Sequence, residues 1–377
     1  MDEFQINTST GNQVQPAVAG FVGTQFVVVW EDNATGDIRG RLFGVNGNPS
    51  DNEFRVNFPG QPGTRRQLPA IVAYQLGFAV AWNQRAPAPG ALSQLKLRTF
   101  DQDTLSGPEI QVSSAEVEQS VRPAMARLND GGFVVVWTDK RDTERIRAQR
   151  FAVDGTKNGA EFRANTLPGL HRVPMVAALT NGNIVIGWRA RLAGPLLVHF
   201  QIFNGSGPVG SEQTTQLEIT EAAMTALDSG GFVIAHLRSP FDGEVGLDTW
   251  VPRASVFEAS GAFANIQFPV TSALRIQSSF PTLAALSNGR FLVSWTELNV
   301  DNLPAGTNVK AAIMSAQGAI GQVTQFNTSA GNQRFSLSAA VTSGPDGDTA
   351  FAAWNDDADP SARTLRGRPL GIPPGGF

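Results

Sequence analysis

The sequence predicts an all-β chain folded as a seven-bladed β-propeller with four antiparallel strands per blade, and three observations carry that prediction. A module of roughly 50 residues recurs from end to end, the period of an array of small units sharing one continuous core. Each copy contains an apolar run closed by an aromatic residue, at Trp30, Trp82, Trp137, Trp188, His236, Trp295 and Trp354. The strand types also come in an order that closes on itself, because the chain opens with the fourth type and ends after the third.

The first strand of each module starts near a proline, at Pro16, Pro69, Pro123, Pro174 and Pro281, with Ala222 and Ser336 in that place in the fifth and seventh copies. Proline is tolerated at a strand's first residue, where no ladder donor is needed. A tight turn follows, clearest in Asn129-Asp130-Gly131-Gly132, whose glycines permit positive φ. The second strand is the apolar run, as in Phe26-Val27-Val28-Val29-Trp30. Phe26, Val28 and Trp30 share one face and Val27 and Val29 the other, so the strand belongs in a sheet covered on both sides.

The third strand ends at Phe43, Phe100, Phe151, Phe203, Phe257, Met314 and Leu370. The fourth begins at Phe4, Phe54, Ile110, Phe162, Leu217, Gln267 and Val323. Seven of every type exist only if the opening strand completes the last blade. Residues 3–7 are therefore predicted to pair beside residues 364–370, which latches the termini and removes a free sheet edge. The blades then span approximately 14–60, 61–115, 116–167, 168–221, 222–272, 273–328 and 329–377 plus strand 3–7, within one domain of residues 1–377.

Composition narrows the partners. No stretch approaches the ~18–20 apolar residues of a membrane span, so no membrane insertion is expected. A net charge of −4 provides no field to gather nucleic acid, and the absence of cysteine excludes disulfides, thiolate catalysis and Cys-type zinc sites. The acidic start, Met1-Asp2-Glu3-Phe4, enters a strand at once and reads as having no signal peptide. A monomer is expected.

The run from Gly131-Gly132-Phe133-Val134-Val135-Val136-Trp137 through Ile146-Arg147-Ala148-Gln149-Arg150-Phe151 to Asp154-Gly155 resembles a repeat of bacterial secreted and surface proteins. Those proteins often carry calcium-binding β-roll segments. The segments Glu3–Gln13 and Gln325–Gln333 match the same family phrase. The resemblance covers the whole chain and implies an extracellular or cell-surface propeller serving as a binding platform. In some cyanobacterial alkylating enzymes, a similar propeller meets a calcium-binding domain to form an active site. This chain has no nonapeptide glycine-aspartate β-roll, no Gly-His and Trp-Asp pairs, and no Ser-x-Asp-x-Gly-x-Thr-Trp box.

The periodic tryptophans read as filler between blades, each stabilising by roughly 2–3 kcal/mol on burial. Trp250 falls outside that position. Four residues before the end of each third strand stands Arg39, Lys96, Arg147, His199, Arg253, Lys310 or Arg366. Hairpin geometry brings four of these opposite Asp32, Asp139, Glu297 and Asp356, two residues past a tryptophan, so ion pairs are expected there. Gln84, Ala190 and Arg238 stand at the acid position in blades 2, 4 and 5, which leaves Lys96, His199 and Arg253 as expected unpaired cations.

Two oxygen-rich loops, 31–37 and 355–359, make Asp32, Asp37, Asp356 and Asp359 candidate calcium ligands; no other cofactor is indicated. His171, His199 and His236 are the only histidines, and no nucleophile elbow or phosphate loop occurs. His171 beside Arg172, placed on the loop entering blade 4, is the candidate catalytic pair. Connections between second and third strands are long in blades 2, 5 and 6, and loop length without a folding need is where binding resides. Arg85, Arg172, Arg189, Arg191, Arg238, Asp242 and Trp250 are the expected ligand contacts on that face. The sequence thus reads as a non-catalytic platform for a glycan or protein surface. The alternative is a channel-mouth enzyme, polysaccharide lyase-like or alkylating/cyclising, using His171 and Arg172.

Overall fold

Alternation of apolar residues at a period of two, punctuated by glycine-tight turns, produces strands throughout, and the computed structural model contains no helix among its described residues. Those residues are 2–21, 25–101, 106–140, 145–191, 194–218, 221–237, 252–270, 281–299, 306–328, 333–344, 347–357 and 363–373. Arg238, Asp242, Trp250 and Asp359 lie outside them.

After β1 (Phe4–Gln5), blade 1 consists of β2 (Gln13–Phe21), β3 (Gln25–Asp32), β4 (Asp37–Gly44) and β5 (Phe54–Arg55). Blade 2 is β6 (Arg65–Tyr74), β7 (Gly77–Arg85), β8 (Ser93–Asp101) and β9 (Ile110–Gln111). Blade 3 is β10 (Ala124–Arg127), β11 (Phe133–Asp139), β12 (Arg145–Phe151) and β13 (Lys157–Arg163). Blade 4 is β14 (Leu170–Ala178), β15 (Ile184–Arg191), β16 (Leu197–Phe203) and β17 (Pro208–Glu218). Blade 5 is β18 (Ala222–Ala226), β19 (Phe232–Leu237), β20 (Pro252–Phe257) and β21 (Phe263–Pro269). Blade 6 is β22 (Thr282–Ala285), β23 (Arg290–Asn299), β24 (Gly306–Ser315) and β25 (Thr324–Gln325). Blade 7 is β26 (Gln333–Gly344), β27 (Gly347–Asp356) and β28 (Thr364–Ile372), completed on its outer edge by β1. Phe4 pairs with Gly367 and Gln5 with Arg366, so the predicted closure is present.

The core is a set of seams between blades. Phe26, Val28 and Trp30 pack on Phe351 and Ala353 of blade 7, whereas Val27 and Val29 pack on Phe78, Val80 and Trp82 of blade 2. The tryptophan of each blade therefore faces the blade before it. All six periodic tryptophans and His236 are at most 2% exposed. Their role is core, as predicted. The glycine ahead of the second strand is sterically required: a Cβ on Gly132 would lie 2.1 Å from the Phe151 carbonyl oxygen, and one on Gly77 2.0 Å from that of Phe100.

Two details differ from expectation. In blades 1, 2 and 4 the inner strand begins before its proline and passes through a bulge, with register shifts at Val14/Ala17, Gln67/Ala70 and Arg172/Met175. The bulge absorbs the donor that proline lacks. It forces the preceding residues Gln15, Leu68 and Val173 to φ of 58°, 54° and 56°. Fourth strands of blades 3, 4 and 5 also start earlier than predicted, at Lys157, Pro208 and Phe263. In blades 1 and 2, Pro49 and Pro108 remove ladder donors and leave the outer strand short.

Glutamates at the outer strands tie each of five blades to its predecessor. Glu53 accepts the N–H groups of Thr8 and Ser9, Glu109 that of Phe58, and Glu161 that of Ser114. Glu212 accepts from Thr166 and Leu167, and Glu3 from Thr328. Burial opposes ionisation of Glu212, but the His199 ring and these N–H groups outweigh it and hold the carboxyl at about 2.

Candidate functional site

The cation ring is consumed by the fold. Arg39 Nε lies 2.9 Å from Asp32, Arg147 Nε 2.8 Å from Asp139, Lys310 Nζ 2.7 Å from Glu297 and Arg366 Nε 2.9 Å from Asp356. Arg39, Arg147 and Arg366 also reach Glu53, Glu161 and Glu3 on the outer strands. The acids serve the tryptophans as well. Trp30 Nε1 donates to Gln13, which in turn donates to Asp32, and Trp295 Nε1 donates to Glu297. His199, expected to be unpaired, instead lies 3.3 Å from Glu212, an acid supplied by the lengthened β17. Lys96 donates to Gln111.

The same pairing accounts for the candidate metal ligands that are described. Asp32 accepts from Gln13, Ala34, Thr35 and Arg39. Asp37 faces Arg55 and Arg66, and Asp356 faces Arg366. Among the described residues no three His, Asp or Glu side chains converge as a metal site.

His171 is not on a loop. It lies in β14 opposite Ala190 and is 0% exposed, at the register position that Gln13 holds in blade 1. Its Nε2 is 3.0 Å from the Leu167 carbonyl, and its ring meets Trp188 edge-on. A base there is enclosed by the blade, so the candidate pair with Arg172 loses its access to substrate.

Among the described residues, the connections from second to third strand and those between blades open on one face of the ring. On that face a cavity of about 350 Å³ sits over blades 1 and 2, between the first two bulges. Gln15 and Leu68, both in strained backbone, form part of its wall, with Glu31, Asn33, Gln67, Ser120 and Arg363. The strain serves a bond between blades: the Leu68 N–H donates to Glu31 Oε1 at 2.5 Å, and the Gln15 N–H to Asn355 Oδ1 at 3.3 Å. Residues held outside ordinary backbone regions cluster at ligand sites.

Arg122, ahead of Pro123, crosses from blade 3 to blade 1. Its Nη1 donates to the Pro16 carbonyl at 3.1 Å and its Nη2 to Gln15 Oε1 at 2.7 Å. Burial lowers Arg122 to about 10, with Glu31 acting in the opposite direction. Glu31, only 7% exposed, is raised by burial, partly offset by the Leu68 N–H, Arg122 and Arg65. A buried carboxyl and a half-buried guanidinium, each shifted by desolvation and each partly offset by the other, thus stand beside an open cavity, the pattern expected of a functional site. Sequence reasoning counted Glu31 only within an oxygen-rich loop and passed over Arg122. The available signal was positional: Glu31 directly follows an anchor where other blades carry Asn83, Thr138 or Asn355, and Arg122 aligns with Gln15 and Leu68.

Of the predicted contacts, Arg85 and Arg191 are exposed at the ends of β7 and β15, and Arg189 and Arg172 are half-buried opposite each other. They rim the same face but do not line the cavity.

No protein-family profile and no curated protein matches the sequence. Solved structures do. An ulvan lyase, from a polysaccharide lyase family, matches with a TM-score of 0.63 at 10% identity, over 98% of this chain and 96% of that one. An α-L-arabinanase of Penicillium chrysogenum complexed with arabinobiose matches at 0.52 and 11% identity, over 98% of both chains. The β-propeller domain of the trilobed protease of Pyrococcus furiosus matches at 0.52 and 10%, over 96% and 98%. Together with the strand order, these likenesses establish the class, a seven-bladed β-propeller.

Proposed function

We propose that this chain is an extracellular or cell-surface propeller that binds a glycan at the channel mouth. The observation that carries the reading is the cavity over blades 1 and 2, whose volume lies within the ~300–1,000 Å³ of small-ligand sites. Its walls offer the amides of Gln15, Asn33 and Gln67, the Ser120 hydroxyl and the Glu31 carboxyl. Such directional donors and acceptors match the hydroxyls of a sugar ring. Arg85, Arg189 and Arg191 are the proposed rim contacts. The fold neighbours support this choice of ligand, since one is an ulvan lyase bound to -[GlcA(1-4)Rha3S]- and another an arabinanase holding arabinobiose. The resemblance of the repeat phrase to one of bacterial surface proteins supports the location.

A second reading, catalysis on that glycan, is favoured by one observation. Glu31 is a carboxyl whose protonation is promoted by burial, set beside the Arg122 cation. A group so placed suits general acid–base work. It replaces His171 as the residue on which an enzymatic role rests.

A glycan array probed with labelled protein, with calcium and with chelator, tests the binding reading. Selective saccharide binding that is lost in Glu31→Gln and Arg122→Gln, with melting temperature retained, is the expected result. A blank array would move the function to a protein partner. Release of new reducing ends or unsaturated products by the parent, abolished in Glu31→Gln, would establish catalysis.

A further inference from the structure

We propose that arginines on the mouth-facing ends of blades 2 and 4 form a subsite for the carboxylate or sulfate groups of an acidic polysaccharide; this rests on the glycan-binding reading above. The argument starts from two cross-strand matches. β6 and β7 set Arg65 directly opposite Arg85, and β14 and β15 set Arg172 opposite Arg189. Like charges directly opposite each other destabilise a strand pair, a cost offset at Arg172 and Arg189 by Glu118 and Glu221. The outer ring shows the contrast, because Arg39, Arg147 and Arg366 are each clamped by two carboxylates.

The charge is confined to one sector. Three residues past the anchor tryptophan, blades 2, 3 and 4 carry Arg85, Lys140 and Arg191, whereas blades 1 and 7 carry Asn33 and Asp357. The chain as a whole is at −4, so this sector runs against the average. Glu116 bridges Lys140 at 3.5 Å, Glu118 acts on Arg172 and Lys140, and Glu221 acts on Arg189. Glu31 is shared between Arg65 and Arg122. Arg172 and Arg189 are therefore partnered, and the open cations of the sector are those at its surface.

Arg65, Arg85 and Arg191 are exposed and so are open to a ligand. The planar guanidinium fork pairs with carboxylate and sulfate oxygens in bidentate fashion. The two arginine matches lie on either side of blade 3, so one small anion cannot engage both. A polymer with charge on successive sugars can, with its uncharged faces seated over the cavity.

Calorimetric titration with a galacturonic acid hexamer, dextran sulfate, neutral dextran and single-stranded DNA tests the proposal. Variants Arg65→Gln/Arg85→Gln and Arg172→Gln/Arg189→Gln carry it, with the single exposed substitution Arg191→Gln as a control that leaves the strand pairs intact. One acidic glycan is expected to bind at least tenfold more tightly than dextran, and to weaken at least tenfold in each double variant. Melting temperatures should hold or rise as the like-charge matches are relieved. Affinity should also fall as salt rises from about 0.05 to about 0.3 M. Arg191→Gln should weaken acidic binding in the same sense. Neutral dextran bound as tightly as either acidic probe overturns this inference while leaving the glycan reading intact. Absence of all glycan binding overturns both. Unchanged affinity in every variant, or DNA binding that equals the acidic glycan, overturns the subsite.

Discussion

Replacing Glu212 by glutamine isolates one of the ties between blades. The Glu212 carboxyl is 2% exposed, lies 3.3 Å from His199 Nδ1, and accepts the N–H groups of Thr166 and Leu167 at 2.6 and 3.0 Å. Its value of about 2 in the fold, against an ordinary 4.5, corresponds to about 3 kcal/mol of linkage. The folded-state value is depressed, so the stabilisation is complete above 4.5 and is lost as pH falls toward 2. Glu212→Gln should therefore unfold at lower urea than the parent at neutral pH, by up to about 3 kcal/mol. The difference should narrow through the window from 4.5 to 2 and vanish below it. Tryptophan-monitored urea unfolding across that range measures both curves. A gap that stays constant with pH, or no gap at neutral pH, would refute the assignment of this carboxylate as a charged tie.

Gly132→Ala should cost about 2 kcal/mol or more, because its Cβ would enter the Phe151 carbonyl; thermal melting reads this directly. Phe4→Ala should cost about 2 kcal/mol and expose blade 7 to proteases, since the Phe4 ring rests on Phe43 and Phe351 at 5.4 and 5.9 Å. Limited proteolysis with mapping of the first cut would check it. Val173→Asn should stabilise by about 0.5–1 kcal/mol, as asparagine tolerates the φ of 56° that a β-branched residue resists. A lower denaturation midpoint in that variant would contradict the strain argument.

The architecture was legible because the features that encode it are local and repeated. Alternation within Phe26-Val27-Val28-Val29-Trp30 assigned both seams of a blade, and the odd strand at Phe4 announced the closure. Ion pairs such as Arg39 with Asp32 were readable from the hairpin, but not their geometry: the register sets Arg39 opposite Trp30, so the pair forms on the diagonal. The bulges were not, because a proline near a strand start is compatible with either a terminus or a kink, and only cross-strand register distinguishes them. The site was less legible for a related reason. Glu31 and Arg122 come from blades 1 and 3, and nothing in their local sequence reveals that Arg122 crosses to Gln15. His171 misled because histidine beside arginine suggests chemistry, whereas its register makes it an occupant of the blade interior.

The edge strand that completes blade 7 has a consequence for the order of assembly. Phe4 and Gln5 are separated from their partners Gly367 and Arg366 by the whole of the intervening ring. During synthesis blades 1 to 6 can form in succession, while β1 waits unpaired beside a growing ring. Contacts of such sequence separation form late and slowly. Once β1 docks, the segment behind it is gripped from the other side by Glu53 of blade 1, so opening the ring means breaking both holds together. A strand two residues long thus closes the ring only together with the Glu53 contacts behind it, so the closure is shared between an edge ladder and a side-chain clasp.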